Sequence, residues 1–107
     1  MEVRPREIVF LEAGDAKAWL DALEINDSNA YHLVLIRLER LEDGNLGDWK
    51  AFGGIIELRF LNIGPGYRIY LGEHDDIAVL LTAGTKKTQE SDIKRAQTLW
   101  KGYADGQ

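Results

Sequence analysis

Residues 57–71 read Glu57-Leu-Arg-Phe-Leu-Asn-Ile-Gly-Pro-Gly-Tyr-Arg-Ile-Tyr-Leu71, two alternating arms around Gly64-Pro65-Gly66. Side chains on a strand point to alternate faces. Ile56, Leu58 and Phe60 therefore share one side of the first arm, and Glu57 and Arg59 the other. On the second arm Tyr67, Ile69 and Leu71 alternate with Arg68 and Tyr70. A slip of one residue would set Ile69 and Leu71 beside Arg59 and Glu57 and bury one set wrongly. The pattern predicts a hairpin with Leu58 near Ile69, Phe60 near Tyr67, and Arg59 opposite or diagonal to Arg68. Like charges facing across two strands repel, so this pair wants a reason. Glu57 and acids from the preceding helices would neutralise the arginines in a surface cluster worth little. Alternatively, two guanidiniums on one sheet face form a fork for phosphate, with Lys86 just past the last strand as a third cation. Both readings stay open on the hairpin alone.

Working outward, the pattern before the hairpin is helical. Ile8–Leu11 is a short strand-forming run, and Asp15–Glu24 places Ala16, Trp19, Leu20 and Leu23 at helical spacing. Asn26–Asn29 supplies turn and cap chemistry. Ala30–Leu41 then repeats the spacing with Tyr31, Val34, Leu35, Leu38 and Leu41, and Gly44 stands where such a helix ends. After Gly44–Asp48 the period becomes two. Trp49–Phe52, Ile55–Leu61, Tyr67–Leu71 and Ile77–Thr82 read as strands, the last pair separated by a Gly72–Asp76 turn. A final helix starts near Thr88, carries Ile93, Ala96, Leu99 and Trp100 on one side, and ends by Gly102. The expected fold is α+β over a single domain, residues 1–107. An N-terminal strand and a helical hairpin pack on an antiparallel β-meander, with a C-terminal helix.

Composition narrows the chemistry. A chain of 107 residues has room for one core. There is no cysteine, and the two histidines, His32 and His74, lie far apart, which argues against disulfides, thiol nucleophiles and clustered metal ligands. The apolar run at Ile8–Leu11 is too short for a signal-peptide core, and no segment approaches a membrane span. A cytoplasmic location is expected, with no membrane partner, no metal and no cofactor. Net charge is −5 and unevenly spread. Residues 1–49 hold five Lys/Arg against eleven Asp/Glu, a net of −6, whereas residues 50–107 hold eight against seven, a net of +1. Any anion site belongs in the second half.

Several elements recur together in a known order: Gly-Asp-x-Lys at 47–50, Glu-Leu-Arg at 57–59, Gly-Pro-Gly-Tyr-Arg-x-Tyr at 64–70, and Gly-x-Lys-x-Thr-Gln-x-x-Asp-Ile-x-x-Ala within 84–96. This set, covering about residues 9–97, resembles the RelE/ParE toxin superfamily, and within it the addiction-module killer branch that is similar to HigB-type toxins. Thr85 stands where an acidic residue is usual, Lys87 where a small polar one is typical, and the chain is acidic where the family is basic.

The resemblance implies a RelE-like fold and the toxin of a type II toxin-antitoxin pair. It implies a metal-independent endoribonuclease that cuts messenger RNA on the ribosome by attack of a ribose 2′-hydroxyl on the adjacent phosphate. It also implies a cognate antitoxin, of helix-turn-helix type, as partner. Carried over residue by residue, Arg59 and Arg68 are assigned to phosphate and transition-state stabilisation, and Lys86 to phosphate binding or proton exchange. Tyr70, on the arginine face by alternation, would position the hydroxyl or relay a proton. Lys50, Lys87 and Trp49 are assigned to RNA or phosphate contact, and Gln89 and Asp92 to the start of the last helix. No histidine falls on the proposed face, so a general base is missing. The superfamily also contains gyrase-poisoning ParE toxins, and an inactive antitoxin-binding homologue is a third possibility. On the nuclease reading, Arg59→Ala or Arg68→Ala is expected to abolish growth inhibition with thermal stability nearly unchanged.

Overall fold

A computed structural model describes residues 4–60 and 62–106. The elements run β1 (Glu7–Phe10), α1 (Ala16–Asn26), α2 (Ser28–Glu42), β2 (Trp49–Phe52), β3 (Ile55–Phe60), β4 (Tyr67–His74), β5 (Ile77–Thr85) and α3 (Gln89–Asp105), with a 3-10 turn at Lys86–Thr88 opening the last helix. Among the described residues the fold is α+β: one five-stranded sheet in the order β1-β5-β4-β3-β2, with three α-helices. The antiparallel meander β2–β5 is as expected. Strand β1 differs, because it lies parallel to β5, Glu7 opposite Ile77 through Phe10 opposite Leu80. A parallel pairing needs a long crossover, and the remainder of the chain between the two strands provides it.

The hairpin register is the one the apolar alternation demands. Leu58 faces Ile69, Phe60 faces Tyr67, Arg59 faces Arg68 and Glu57 faces Tyr70. Strands β4 and β5 run further than periodicity suggested, and the Gly72–Asp76 turn shrinks to its last residues. Gly72 reads as a turn residue but sits inside β4, because the Trp100 indole covers that spot. A Cβ there would stand 2.2 Å from Trp100 Cε3. Between Tyr70 and Leu71 the β4–β5 register shifts, Tyr70 facing Thr82 and Leu71 facing Leu80, so Leu81 is an extra residue in β5. Such a bulge bends the strand locally.

The sheet separates two apolar layers. Ile56, Leu58, Phe60, Ile69, Leu71 and Leu80 meet Leu20, Leu23, Val34, Leu38 and Leu41 of the helical hairpin. On the other face Ile55, Tyr70, Val79 and Leu81 meet Ala96, with Ile93, Leu99, Trp100 and Tyr103 against them. Burying each Leu or Ile contributes about 1.5–3 kcal/mol, so both layers hold the sheet. The charged residues of the hairpin, Glu57, Arg59 and Arg68, project on the α3 side by alternation. There α3 covers only part of the surface, and the strand ends near its start stay open.

Asp27 joins the helical hairpin to the sheet. Its Oδ1 accepts from the Ala30 amide at 3.2 Å, capping α2. Its Oδ2 accepts from the Tyr67 hydroxyl at 3.0 Å. Arg37 of α2 clamps the following loop: its guanidinium donates to the carbonyls of Leu46, Asp48 and Arg59 and lies 4.8 Å from the centre of the Phe60 ring. At the far end of the sheet the buried Arg6 pairs with Glu73, and Arg4 with Asp76.

Candidate functional site

The turn at Gly64–Gly66 assembles the site. Gly66 adopts φ +77°, a conformation that only glycine reaches readily, and this aims its carbonyl at two donors. Arg68 Nη1 donates to it at 2.6 Å and the Lys86 amide at 2.9 Å. One oxygen thereby ties the second arm of the hairpin to the end of β5. Lys86 then sits on a tight turn whose geometry Thr88 holds. The Thr85 amide donates to Thr88 Oγ1 at 3.2 Å, and Thr88 Oγ1 donates to Asp92 at 2.5 Å. Asp92 and Glu90 lie in the first turn of α3, where the helix dipole favours acids. Asp92 therefore starts the helix, as assigned.

The result is a cleft of about 440 Å³ lined by Arg59, Gly64, Pro65, Gly66, Arg68, Lys86 and Gln89. The three cations singled out in the sequence come together here. Beneath them lies a carboxylate with a larger part than surface neutralisation: Glu57, which is completely buried. Its Oε1 stands 3.4 Å from Arg59 Nε and its Oε2 3.7 Å from Arg68 Nε. Oε2 also accepts from the Tyr70 hydroxyl at 2.9 Å and from Gln89 Nε2 at 3.0 Å. Both guanidiniums thus share one buried anion. Two arginines, one lysine and one glutamate leave the cluster at +2. Among the described residues Glu57 Oε1, Arg59 Nε and Arg68 Nε have no hydrogen-bond partner although all three are buried. Buried polar groups of this kind are uncommon and mark functional or strained places.

The other expected site residues separate. Tyr70 lies on the arginine face but is fully buried, with its hydroxyl committed to Glu57. Burial first, then the Glu57 carboxylate, push its phenol far above the ordinary tyrosine range. The hydroxyl is out of solvent contact and points to Glu57. Trp49 pairs opposite Leu58 and packs into the core on the helical-hairpin face, away from the cleft. Strand alternation puts it there. Lys50 pairs opposite Glu57 at the edge strand, exposed over the Phe52 ring at 5.1 Å and outside the cleft lining. Lys87 opens onto a separate depression with Thr88, Glu90, Ser91 and Lys94. Gln89, read as a helix-start residue, turns into the cleft and binds Glu57. His74 lies 6.1 Å from Tyr103 and beside Asp75, and His32 is exposed on α2; neither reaches the cleft.

Arg68 is also more buried than a surface cation, its side chain 3% exposed against 28% for Arg59. Arg59 and Lys86 therefore present the accessible charge, and Arg68 forms the wall behind them. Glu57 and Gln89 are the residues the sequence pattern undervalued. The available signal was Glu57 facing Tyr70 in the same register that pairs the arginines. Among the described residues no group of three His, Cys, Asp or Glu could hold a metal ion, and no helix is long and apolar enough to cross a membrane.

The chain is similar to a known protein. Over 84 residues the chain is 42% identical to an uncharacterized protein of Haemophilus influenzae, a match spanning 77% of this chain and 82% of that one. The chain belongs to that protein's family. No protein-family model matches it, and no solved structure does. That relative's name states no activity, and the functional reading rests on the chemistry of the cleft.

Proposed function

We propose that the protein is a RelE-like toxin of a type II toxin-antitoxin pair, acting as a metal-independent endoribonuclease on ribosome-bound messenger RNA. The observation that supports this reading is the convergence of Arg59, Arg68 and Lys86 on one cleft with a surplus of positive charge. In the reaction the 2′-oxygen bonds to the adjacent phosphorus and the P–O5′ bond breaks. The products are a 2′,3′-cyclic phosphate and a free 5′-hydroxyl. The 2′-hydroxyl gives up a proton and the 5′-oxygen takes one, so no oxidant, reductant or metal is needed. Negative charge builds on the non-bridging oxygens, and preorganised cations aimed at that position lower the barrier. Arg59 and Lys86 meet those oxygens from the open side, with Arg68 completing the wall. Lys86, a cation exposed at the rim, gives a proton to the leaving 5′-oxygen, while the ribosome aligns the strand in line. Silencing falls to a cognate antitoxin, proposed to be a helix-turn-helix DNA-binding protein encoded nearby.

Mapping RNA 5′ ends after a pulse of expression tests this. Cuts clustered within codons, lost in Arg59→Ala and Lys86→Ala, are the expected result. Each lost donor should lower cleavage roughly 10²–10³-fold. Growth arrest with intact messenger RNA and cleaved DNA–gyrase complexes would assign the protein to the gyrase poisons instead.

A further inference from the structure

We propose that Glu57 is the positioning residue of the cleft. Its buried carboxylate, oriented by Tyr70 and Gln89, holds the two facing guanidiniums in a fork that receives a single oxyanion. This deepens the nuclease reading and rests on it for the nature of the ligand, but the device itself follows from geometry.

Arg59 and Arg68 are directly paired across β3 and β4, where like charges repel. A buried carboxylate between them offsets that repulsion, yet a carboxylate free to rotate would not fix where the guanidiniums point. Two donors remove that freedom. The Tyr70 hydroxyl and Gln89 Nε2 both donate to Oε2, which turns Oε1 toward Arg59 Nε. Arg68 is held from two sides, by Oε2 and by the Gly66 carbonyl. The separations of 3.4 and 3.7 Å from carboxylate to Nε are ion pairs without hydrogen bonds. The arginines are held in place by charge, and their hydrogen-bonding capacity is not consumed by Glu57.

Two roles for Glu57 predict opposite signs. If it only neutralises charge, Glu57→Gln raises the cluster from +2 to +3 and tightens anion binding. If it positions, the same change weakens binding. The reason lies in the donors: as long as Tyr70 and Gln89 keep donating to the Oε2 place, the new amide nitrogen stands at the Oε1 place. There it meets Arg59 Nε donor against donor, and Arg59 is driven out of the fork. Tyr70→Phe changes no charge but removes one of the two donors that hold the carboxylate, so on the positioning role it too weakens binding.

The test is titration of the purified protein with inorganic phosphate at neutral pH and low salt, followed by calorimetry and by the arginine Nε–Hε signals in NMR. Wild type should bind phosphate, with the Nε–Hε signals of Arg59 and Arg68 shifting on titration. Glu57→Gln and Tyr70→Phe should each weaken binding roughly three- to tenfold, and Glu57→Gln should move the Arg59 signal more than that of Arg68. Should Glu57→Gln unfold, Tyr70→Phe alone decides, with the fold checked by circular dichroism. Tighter phosphate binding in Glu57→Gln, unchanged binding in Tyr70→Phe, or no binding by wild type each overturns the proposal. Phosphate binding that behaves as described in a protein that makes no RNA cuts would sink the nuclease reading and leave this one standing.

Discussion

The Tyr70 hydroxyl donates to Glu57 Oε2 at 2.9 Å with both side chains fully buried, and their residues face each other across β3 and β4. A hydrogen bond to a buried charged acceptor contributes about 1.5–3 kcal/mol. Gln89 still donates to the same oxygen when the phenol is lost, so Tyr70→Phe should destabilise by about 1.5–2 kcal/mol and remain folded. Urea unfolding measures it, and an unchanged midpoint would show that the bond adds nothing.

The same pair sets an alkaline limit. An unfolded tyrosine loses its proton near about pH 10, whereas folded Tyr70 keeps it because burial and then Glu57 disfavour the phenolate. Above about pH 10 the unfolded chain therefore binds fewer protons than the folded one, and stability falls as pH rises. Below that pH both states are protonated and the group adds no slope. The difference between wild type and Tyr70→Phe should be flat up to about pH 9.5. Above it wild type should lose up to about 1.4 kcal/mol more per pH unit. Urea melts across pH 8–11.5 show this directly; parallel curves to pH 11.5 would contradict it.

The two arginines should part company in stability. Removing Arg68 leaves a fully buried carboxylate with one fewer cation, a loss of about 3–5 kcal/mol. Arg59 is more open, and its removal should lose only about 1 kcal/mol. This revises the expectation that both substitutions leave stability nearly unchanged: a small loss is now expected for Arg59 alone. Thermal melts of Arg59→Ala and Arg68→Ala compare them, and equal midpoints would refute the difference. Activity assays belong on Arg59 and Lys86 for the same reason.

Two glycines in the meander separate site from scaffold. At Gly84 a Cβ would stand 1.9 Å from Asp92 Oδ2 and 2.7 Å from Thr88 Oγ1. A carboxylate can swing aside, but then Thr88 loses Asp92 and the turn carrying Lys86 loosens. Gly84→Ala should lose about 1–2 kcal/mol and most of the function of Lys86. At Gly72 the obstacle is the Trp100 ring, itself stacked on Tyr103 at 5.1 Å. Gly72→Ala should lose about 3 kcal/mol or more and shift tryptophan emission to longer wavelength. An unshifted spectrum would show that the indole does not cover β4.

Asp27 has two jobs that one substitution can divide. Asp27→Ala removes both the α2 cap and the Tyr67 acceptor, about 2–3 kcal/mol together. Asn caps as well as Asp, so Asp27→Asn should lose about 1 kcal/mol, mostly from the weaker neutral acceptor. Denaturant midpoints rank the pair; equal losses would assign the whole effect to the Tyr67 contact, and no loss in Asp27→Asn would assign it to the cap.

The hairpin register, the helical hairpin, the last helix and the facing arginines were legible in the sequence because each rests on local periodicity. Period two places a side chain on a face whatever the rest of the chain does, and one slip would invert the face. Depth is not local in this sense. Arg68 and Arg59 look alike in sequence, and only the fold, which sets the Gly66 carbonyl and Glu57 against Arg68, makes one a wall and the other accessible. Trp49 looked available for RNA until its partner, Leu58, turned it to the core. Strand β1 joined β5 in parallel because a long crossover brought it there, which no short-range pattern encodes. Above all, the two oxygens of Glu57 were assigned by donors 13 and 32 residues away. A carboxylate's charge is a property of its residue, but which way it faces depends on what folds against it.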